Sequence, residues 1–315
     1  MDNVSLADGA AQEMEDHAMY LLIGYENDPC IHIVCTCLRN HGQMVYTIAE
    51  PLSGDTSLCW AFDTAHSQSS LRWYDGSLIA GSALRGVLVR GTGEPTNPDG
   101  WDPADLAYVR VETQAALLAW LQSLPCPVVN RLTADLWFQP RRPLVAWHKL
   151  LVRCGLPTLA VQVTNDLATA QRFADRWHGE LIYAPLTSSV RYPVVMTQQS
   201  TELARLMEHL PVTLIEPYQG TTCYATIIGQ RVIWSAGSGL AVTEREVLEA
   251  GLRQLARVLQ IDLVQVELLV GVYGPRCIDV HIFPQFAVHS SDEQVAIAEG
   301  IVTLLTGSYE MEVVR

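Results

Sequence analysis

Apolar residues alternate with polar ones near the end of the chain, in the pattern of a β-hairpin. They occupy every second position on both sides of a turn with the sequence VYGP: Val266, Leu268, Val270, Ile278, Val280 and Ile282. Glu267, Asp279 and His281 stand at intervening positions, so the pattern puts all three on one face. Two carboxylates and an imidazole on one face suit a Mg²⁺ or Mn²⁺ ion that carries a phosphate. The same pattern also fits an edge hairpin whose polar side chains face water.

The first part of the chain carries the pattern of a small α/β domain. An apolar run over 19–25 predicts a buried strand, the segment 28–40 a helix and the segment 43–50 a second strand, which together begin a βαβ unit. The elements predicted after them are a hairpin formed by 60–62 and 70–74, a strand over 86–90, a loop over 91–103, an amphipathic helix over 111–124 and a strand over 127–130.

Helices and strands also alternate through the remainder of the chain. Helices are predicted over 143–154, 167–178, 200–209, 243–259 and 291–305. Strands are predicted over 159–163, 180–186, 190–195, 212–218, 223–228 and 231–235. Asp166 is a good N-cap for the helix that begins at 167, and Thr243 with Glu246 reads as a capping box. The overall pattern predicts an α/β protein, with α+β organisation inside its subdomains.

The order of these elements suggests domain boundaries. The predicted regions are a disordered acidic tail over 1–18, an N-terminal α/β domain over 19–130, a linker and central subdomain over 131–235, and a C-terminal subdomain over 236–315. The linker sequence RLTADLWFQPRR holds Trp137 and Phe138 beside Arg141 and Arg142. These residues form either a peptide-docking patch or a loop that folds its aromatic rings into the interior.

Composition narrows the classes of partner and location. The chain of 315 residues has a formal net charge of -14, which argues against nucleic acid or an anionic membrane as its main partner. No apolar run is long enough to span a membrane and no signal peptide is recognised, so we expect a cytoplasmic protein. The eight cysteines lie mostly in apolar segments and are expected to be reduced core residues. Cys35 and Cys37 alone make a weak zinc signal.

Three phrases of the sequence, taken in order, resemble the ATP-grasp superfamily of carboxylate-amine ligases. They are GLPTLAVQVTND over 155–166, LPVTLIEPYQGTTCYATIIG over 210–229 and CIDVHIFPQF over 277–286. This superfamily holds ribosomal-protein glutamate ligases, glutathione synthetase and the ligases that cyclise ribosomal peptides. The resemblance extends over 19–305 and implies the ATP-grasp fold, a small N-terminal α/β domain followed by central and C-terminal ATP-grasp subdomains.

The resemblance implies ATP and Mg²⁺ as cofactors, but the cationic positions of the family have changed. The two lysines that hold phosphates in active members fall on Gln139 and Ala184, and the Asp-x-Arg motif falls on Thr222 and Tyr224. Because several negative charges gather in such a cleft, the replacements put nucleotide binding in doubt. Lys149, the single lysine of the chain, lies on a predicted helix and is expected to face water.

The resemblance also implies roles for residues that are kept or exchanged conservatively. The metal positions fall on Glu267, Asp279 and His281, each of which can ligate a divalent ion. The implied nucleotide contacts are Tyr183, Ala184, Ile215, Glu216 and Tyr218. Arginines near the lost lysines are candidates to take over the phosphates, since guanidinium binds phosphate in a bidentate manner: Arg141, Arg142 and Arg191.

Three functions stay open at this point. The first is a pseudo-ligase that keeps the fold, has lost or reduced its ATP chemistry, and binds a peptide substrate or an active ATP-grasp partner. The second is an active ATP-dependent ligase that joins a carboxylate to an amine or hydroxyl through an acyl phosphate. The third is a nucleotide-independent carrier or structural subunit, which nothing specific in the sequence favours. The resemblance implies a homo- or hetero-oligomer, and a neighbouring gene for an ATP-grasp protein with intact lysines would favour the first function.

Overall fold

A computed structural model shows the fold of the chain. It describes residues 19–49, 51–52, 56–62, 67–73, 76, 78–91, 100–186 and 191–307. The predicted tail over 1–18 lies outside these residues. So does the polar turn at Thr187, Ser188 and Ser189, at which the resemblance implies the phosphate-covering loop. No helix among the described residues is both long and apolar enough to pass through a bilayer.

The described residues form fifteen strands and eight helices, besides two 3-10 turns. In chain order they are β1 (Met19–Ile23), α1 (Pro29–Asn40), β2 (Met44–Ile48), β3 (Ser57–Phe62), β4 (Ser67–Arg72), β5 (Leu78–Ala80), β6 (Leu84–Val89), α2 (Pro103–Ser123), β7 (Val128–Val129), α3 (Ala134–Phe138), α4 (Leu144–Arg153), β8 (Val161–Thr164), α5 (Leu167–Asp175), β9 (Glu180–Tyr183), β10 (Tyr192–Val195), α6 (Met196–Met207), β11 (Val212–Ile215), β12 (Thr221–Ile228), β13 (Arg231–Trp234), α7 (Val242–Leu259), β14 (Leu263–Gly271), β15 (Gly274–His281) and α8 (Ser291–Leu305). The mixture confirms the predicted α/β class.

The chain divides into two compact units. Unit 1 holds the described residues up to Phe138 together with 260–262 and 291–307, and unit 2 holds 139–259 and 263–290. The final helix α8 therefore belongs to unit 1, whereas the sequence places it in a C-terminal subdomain over 236–315. The reason is packing, because α8 contacts α1, β6 and β7 with an apolar face that includes Ile297 and Ile301.

Unit 1 is built on a parallel sheet with the strand order β2-β1-β6-β7. All five residues of β1 are buried, as expected for a parallel strand covered on both faces. A second, antiparallel sheet has the order β3-β4-β5. The predicted hairpin is confirmed as β3 and β4, but β5, with only three residues, escaped the sequence pattern.

Helix α2 is longer than its hydrophobic pattern indicates. It begins at Pro103 rather than at residue 111, with Asp102 as N-cap accepting the backbone N–H of Ala104 at 2.8 Å. Asp followed by Pro is a helix-start signal, which the apolar pattern concealed because the first half of the helix is largely exposed.

The end of α2 is capped by a side chain from the following segment. The Arg131 guanidinium donates four hydrogen bonds of 2.7–3.0 Å to backbone carbonyls, those of Leu121, Gln122, Leu124 and Cys126. The last carbonyls of a helix have no partner within the helix, so these bonds satisfy groups that would otherwise stay unpaired. Trp137, in α3, is also buried, while Phe138 is exposed. The linker thus turns its tryptophan inward.

Unit 2 contains two antiparallel sheets. One has the order β10-β9-β11-β8, and its core packs against α5 and α6 through residues such as Phe173, Leu203 and Leu214. The other has the order β13-β12-β14-β15, with α7 against β12, β13 and β14, and α4 against β15. Helix α7 begins at Val242, and its cap differs from the predicted box: Glu244 accepts the backbone N–H of Ala241 at 2.9 Å.

Candidate functional site

The hairpin predicted at the end of the chain is formed by β14 and β15. Its strands are joined by an exposed two-residue turn at Val272 and Tyr273. Glu267 pairs directly with Asp279. His281 pairs with Gln265, two residues away along each strand. A β-bulge follows Glu267, so the pairing register shifts at that residue.

Glu267, Asp279 and His281 do share one face, as the alternation predicts. One ligand atom from each lies within 4.8 Å of the others. The Nε2 atom of His281 lies 3.2 Å from Oε2 of Glu267, and both side chains are 20% exposed. Among the described residues this is the one group of metal-ligating side chains with such spacing. The arrangement is a half-buried set of two carboxylates and one imidazole, suited to a divalent cation.

The electrostatics of Asp279 follow from its partly buried position. Burial raises the pKa of its carboxyl group, and the negative charge of Glu267 acts in the same direction. Three groups lower that pKa, each by less than burial raises it. In decreasing order of effect they are His281, the backbone N–H of Val280 and Arg191. The Val280 N–H donates to Oδ1 of Asp279 at 2.7 Å. The carboxylate is therefore held in a defined orientation. Its charge is partly desolvated, and a bound cation would offset the free-energy cost of that desolvation.

Tyr224 continues the row of polar side chains across the sheet. It pairs with Glu267 on β14, which in turn pairs with Asp279 on β15. Burial and the nearby Glu267 charge raise the pKa of the Tyr224 hydroxyl. The family resemblance implies an arginine here, so a neutral phenol stands in this row where a cation is expected.

A small recess beside the cluster collects residues that the sequence named separately. Its volume is about 20 Å³, which is space for about one water molecule. Its lining consists of Arg142, Pro143, Leu144, Ala184, Arg191, Ile215 and Asp279. Two predicted phosphate-binding arginines, two predicted nucleotide contacts and one predicted metal ligand thus meet at one place.

The two arginines of the recess are both engaged by the protein. The Arg191 guanidinium donates to the carbonyl of Ile278 at 2.6 Å. Arg142 donates to the carbonyl of Gln139 at 3.3 Å and lies over the Trp147 ring, 5.2 Å from its centroid. Arg141 is exposed and does not line the recess.

The remaining predicted nucleotide contacts lie elsewhere in unit 2. Tyr183 stacks on Tyr192 with ring centroids 6.0 Å apart. The Tyr218 hydroxyl donates to the carbonyl of Gly274, and its ring lies under Arg276. Glu216 is buried, and its backbone N–H donates a hydrogen bond to the backbone carbonyl of Ala160. None of the three predicted contacts, Tyr183, Glu216 and Tyr218, lines the recess.

The structure shows where the single lysine of the chain lies, and also where the residues lie at which the resemblance implies charged side chains. Lys149 is exposed on α4, as expected, and is not part of the recess. Ala184 lines the recess. Its backbone N–H donates to the backbone carbonyl of Thr213 at 3.0 Å, and this bond fixes the backbone that carries the Ala184 side chain. Gln139 and Thr222 are exposed.

Sequence reasoning missed a buried polar network beside the cluster, on the same face of the sheet. Nε2 of His289 lies 2.8 Å from Oγ1 of Thr226, and Nε2 of Gln265 lies 3.0 Å from that same oxygen. Gln265 also accepts the backbone N–H of Gln285 at 3.0 Å. The available signal was a polar residue inside an otherwise apolar strand, in LVQVELL. The network ties down the segment that follows His281.

We expect Asp279→Asn to raise the thermal unfolding midpoint of the metal-free protein at pH 7. Because burial raises the native-state pKa of Asp279, its ionised form costs stability at every pH above that pKa. This cost declines as the pH falls and vanishes below the unfolded value of about 3.9. Asparagine carries no such cost, so the gain should be present at neutral pH and absent in acid.

Calorimetric melts from pH 3.5 to 8 in the presence of a chelator would test this expectation. Asp175→Asn, at an exposed position on α5, is the matched control and should change little. A lower midpoint for Asp279→Asn at every pH would show that the bonds of the carboxylate outweigh its burial.

Comparisons with known proteins support the fold. No sequence model of a protein family and no curated protein sequence matches the chain. Several solved structures match the chain over nearly its whole length. The macrocyclase MdnC from Microcystis aeruginosa MRC, bound with precursor peptide MdnA, has 12% sequence identity, a TM-score of 0.74, and coverage of 92% of this chain and 100% of MdnC.

Two of the other structures contain nucleotide as well as peptide or precursor. A RiPP-associated ATP-grasp ligase from Chryseobacterium gregarium, in complex with ADP and a leader and core peptide, has 14% identity, a TM-score of 0.72, and coverage of 93% of this chain and 97% of that one. The ATP-grasp ligase PsnB, complexed with minimal precursor, Mg and ADP, has 14% identity, a TM-score of 0.68, and coverage of 91% and 98%. The chain therefore has the ATP-grasp fold.

Proposed function

We propose that this ATP-grasp-fold chain is a pseudo-ligase, which binds a peptide or an active ligase partner and has lost most of the phosphate chemistry of such enzymes. The observation that carries the proposal is the lining of the recess beside the metal-ligating cluster. Ala184 lines it where the resemblance implies a lysine, and Tyr224 replaces the expected arginine in the row beside Glu267.

Electrostatic stabilisation explains why these replacements matter. A ligase of this type gathers the phosphates of ATP and an acyl phosphate in one cleft, so cations there act mainly on the transition state. Loss of one such donor typically costs about 10²- to 10³-fold in rate. Two replacements in one unit of the structure therefore favour a protein with little turnover.

The cluster suits Mg²⁺ better than the recess suits the phosphates of ATP. Glu267, Asp279 and His281 would hold the ion, whose charge would neutralise part of the phosphate when it is bound. Arg142 and Arg191, the two cations that line the recess, already donate to backbone carbonyls and would have to leave them to hold a phosphate. Binding of Mg²⁺·ATP is accordingly expected to be weak.

The peptide partner is proposed from the similar structures. MdnC and the Chryseobacterium gregarium ligase are described in complex with a precursor peptide or with leader and core peptides. A pseudo-ligase of the same fold would use such a peptide surface without the chemical step. A cytoplasmic location and an oligomeric assembly stay predictions from the sequence.

An active ligase is the second candidate, and one observation favours it. Arg142 and Arg191 line the same recess as Asp279, so two guanidinium groups stand where phosphate would arrive. Such an enzyme would need both groups to exchange their present backbone partners, Gln139 and Ile278, for phosphate oxygens.

Calorimetric titration of the full chain with ATP and excess Mg²⁺ tests the proposal. We expect no saturable binding, or binding only in the millimolar range, and no release of ADP over hours. Any millimolar binding should weaken further in an Asp279→Ala variant, which lacks one ligand of the cluster. Saturable binding at micromolar ATP that this variant loses, together with ADP formation, would refute the pseudo-ligase and support the active ligase.

A further inference from the structure

The ligand set of the cluster differs in chemistry from a site made for Mg²⁺. We infer that Glu267, Asp279 and His281 bind a first-row transition-metal dication without a nucleotide and in preference to Mg²⁺. This inference deepens the metal site named in the proposed function and rests on the same three residues. It concerns binding in the absence of ATP, which the pseudo-ligase proposal does not require.

The imidazole is the first reason. Mg²⁺ takes oxygen ligands, prefers octahedral geometry and usually keeps several waters, being bound by one or two carboxylates plus substrate phosphates. Neutral imidazole is instead a ligand of zinc, iron, cobalt and nickel. His281 gives the cluster one nitrogen donor beside two carboxylates. A nitrogen donor raises the affinity for transition metals relative to Mg²⁺.

The number and spacing of ligands are the second reason. Three protein ligands are the set with which catalytic zinc sites hold their ion, leaving one position for water or substrate. Ligands at about 2.0–2.2 Å from a tetrahedral ion lie roughly 3.3–3.6 Å apart. Oε2 of Glu267 and Nε2 of His281 are already 3.2 Å apart, and all three ligand atoms fall within 4.8 Å. Only side-chain adjustment is needed to close the set.

The support around the ligands is the third reason. Glu267 and Asp279 are paired residues of adjacent strands, so the sheet fixes the distance between their backbones. The Val280 N–H orients the Asp279 carboxylate, and the buried bonds of Gln265 hold the segment after His281. Sites placed on strands with such support are more precise than sites on loops.

Charge balance agrees with a resident cation. The carboxylates of Glu267 and Asp279 are both half-buried on one face of the sheet. Tyr224 on β12, which pairs with Glu267 on β14, brings no positive charge. Arg191 reaches the site from outside this sheet and donates to the Ile278 carbonyl. A dication would compensate the two carboxylates more completely than this one guanidinium does.

Cysteine is the competing class of ligand for such metals. Cys35 and Cys37, the C-x-C of the sequence, lie two residues apart on helix α1, so they point in different directions from the helix. Cys59 is exposed. The experiment therefore uses cobalt, because thiolate ligation gives Co²⁺ an intense near-ultraviolet band that carboxylate and imidazole ligands do not.

The test is titration of the untagged, chelator-treated full chain with CoCl₂ and separately with MgCl₂, without nucleotide. We expect one Co²⁺ per chain, a visible absorption band of nitrogen and oxygen ligation, and a Kd at least about 100-fold lower for Co²⁺ than for Mg²⁺. His281→Asn should reduce that ratio to about tenfold or less, mainly by weakening Co²⁺. Asp279→Asn should weaken both ions.

Matched controls separate the site from the rest of the surface. His209→Asn, at an exposed position beyond α6, should leave Co²⁺ binding unchanged. Circular dichroism of each variant reports folding, and His281→Asn serves if Asp279→Asn does not fold. Equal affinity for Co²⁺ and Mg²⁺, Co²⁺ binding that survives His281→Asn, or a thiolate band would each overturn the inference.

The two proposals fail in different ways. If ATP binds tightly and is turned over, the pseudo-ligase proposal fails while the cobalt preference can still hold. If no Co²⁺ preference is found in the absence of nucleotide, the metal inference fails and the ATP titration is unaffected.

Discussion

Replacement of Ala184 by lysine should increase the affinity of the chain for Mg²⁺·ATP by roughly 10- to 100-fold, because a charge-assisted hydrogen bond is worth about 1.5–3 kcal/mol. Position 184 follows β9, lines the recess with Asp279, and has its backbone held by the bond to Thr213. A lysine there would extend into the place where the resemblance implies a phosphate-binding cation.

Ala184→Met is the control for this experiment, since methionine has a similar length and no charge. Calorimetry with Mg²⁺·ATP should show a gain for lysine and none for methionine, and the gain should weaken as salt concentration rises. Equal binding by both variants would mean that the missing charge does not limit the site. The gain should also vanish in the double variant with Asp279→Asn.

Arg131→Ala should lower the free energy of unfolding by roughly 3–5 kcal/mol, because one side chain satisfies four backbone carbonyls at the end of α2 and in the segment just after it. Truncation leaves those carbonyls without their donor at a place where the chain turns from α2 toward β7. The neighbouring Trp120 is 1% exposed and provides a fluorescence signal for unfolding in urea.

Arg131→Lys should give an intermediate loss, because an ammonium group lacks the planar fork that reaches four oxygens. Arg153→Ala, at an exposed arginine near the end of α4, is the matched control and should change stability by less than about 0.5 kcal/mol. A loss below about 1 kcal/mol for Arg131→Ala would show that water replaces the guanidinium at the helix end.

Much of the secondary structure was available from the sequence because it depends on local spacing. The hairpin of β14 and β15, the helices α1, α4 and α8, and the β12–β13 pair were all predicted close to their observed bounds. The errors have local causes as well. Helix α2 was shortened because its exposed first half lacks an apolar stripe, and β5 was missed because three residues carry no period.

The candidate site was predicted in part. Alternation put Glu267, Asp279 and His281 on one face, and the structure brings their ligand atoms together. The recess could not be foreseen, because its lining comes from α4 and its preceding loop, the ends of β9 and β11, the residue before β10, and β15. Arg142 and Arg191 were named for it, whereas Arg141, one residue from Arg142, faces water.

The sequence by itself determined what depends on the geometry of a single strand or helix. Through the family resemblance it also implies that cationic positions are replaced at Gln139, Ala184 and Tyr224, which stays a prediction. Only the tertiary structure decided that α8 packs in unit 1, that Arg131 caps α2, and that Gln265 bonds to Thr226 and Gln285. These are contacts between residues distant along the chain or in different elements. They depend on how elements pack, which local periodicity does not encode.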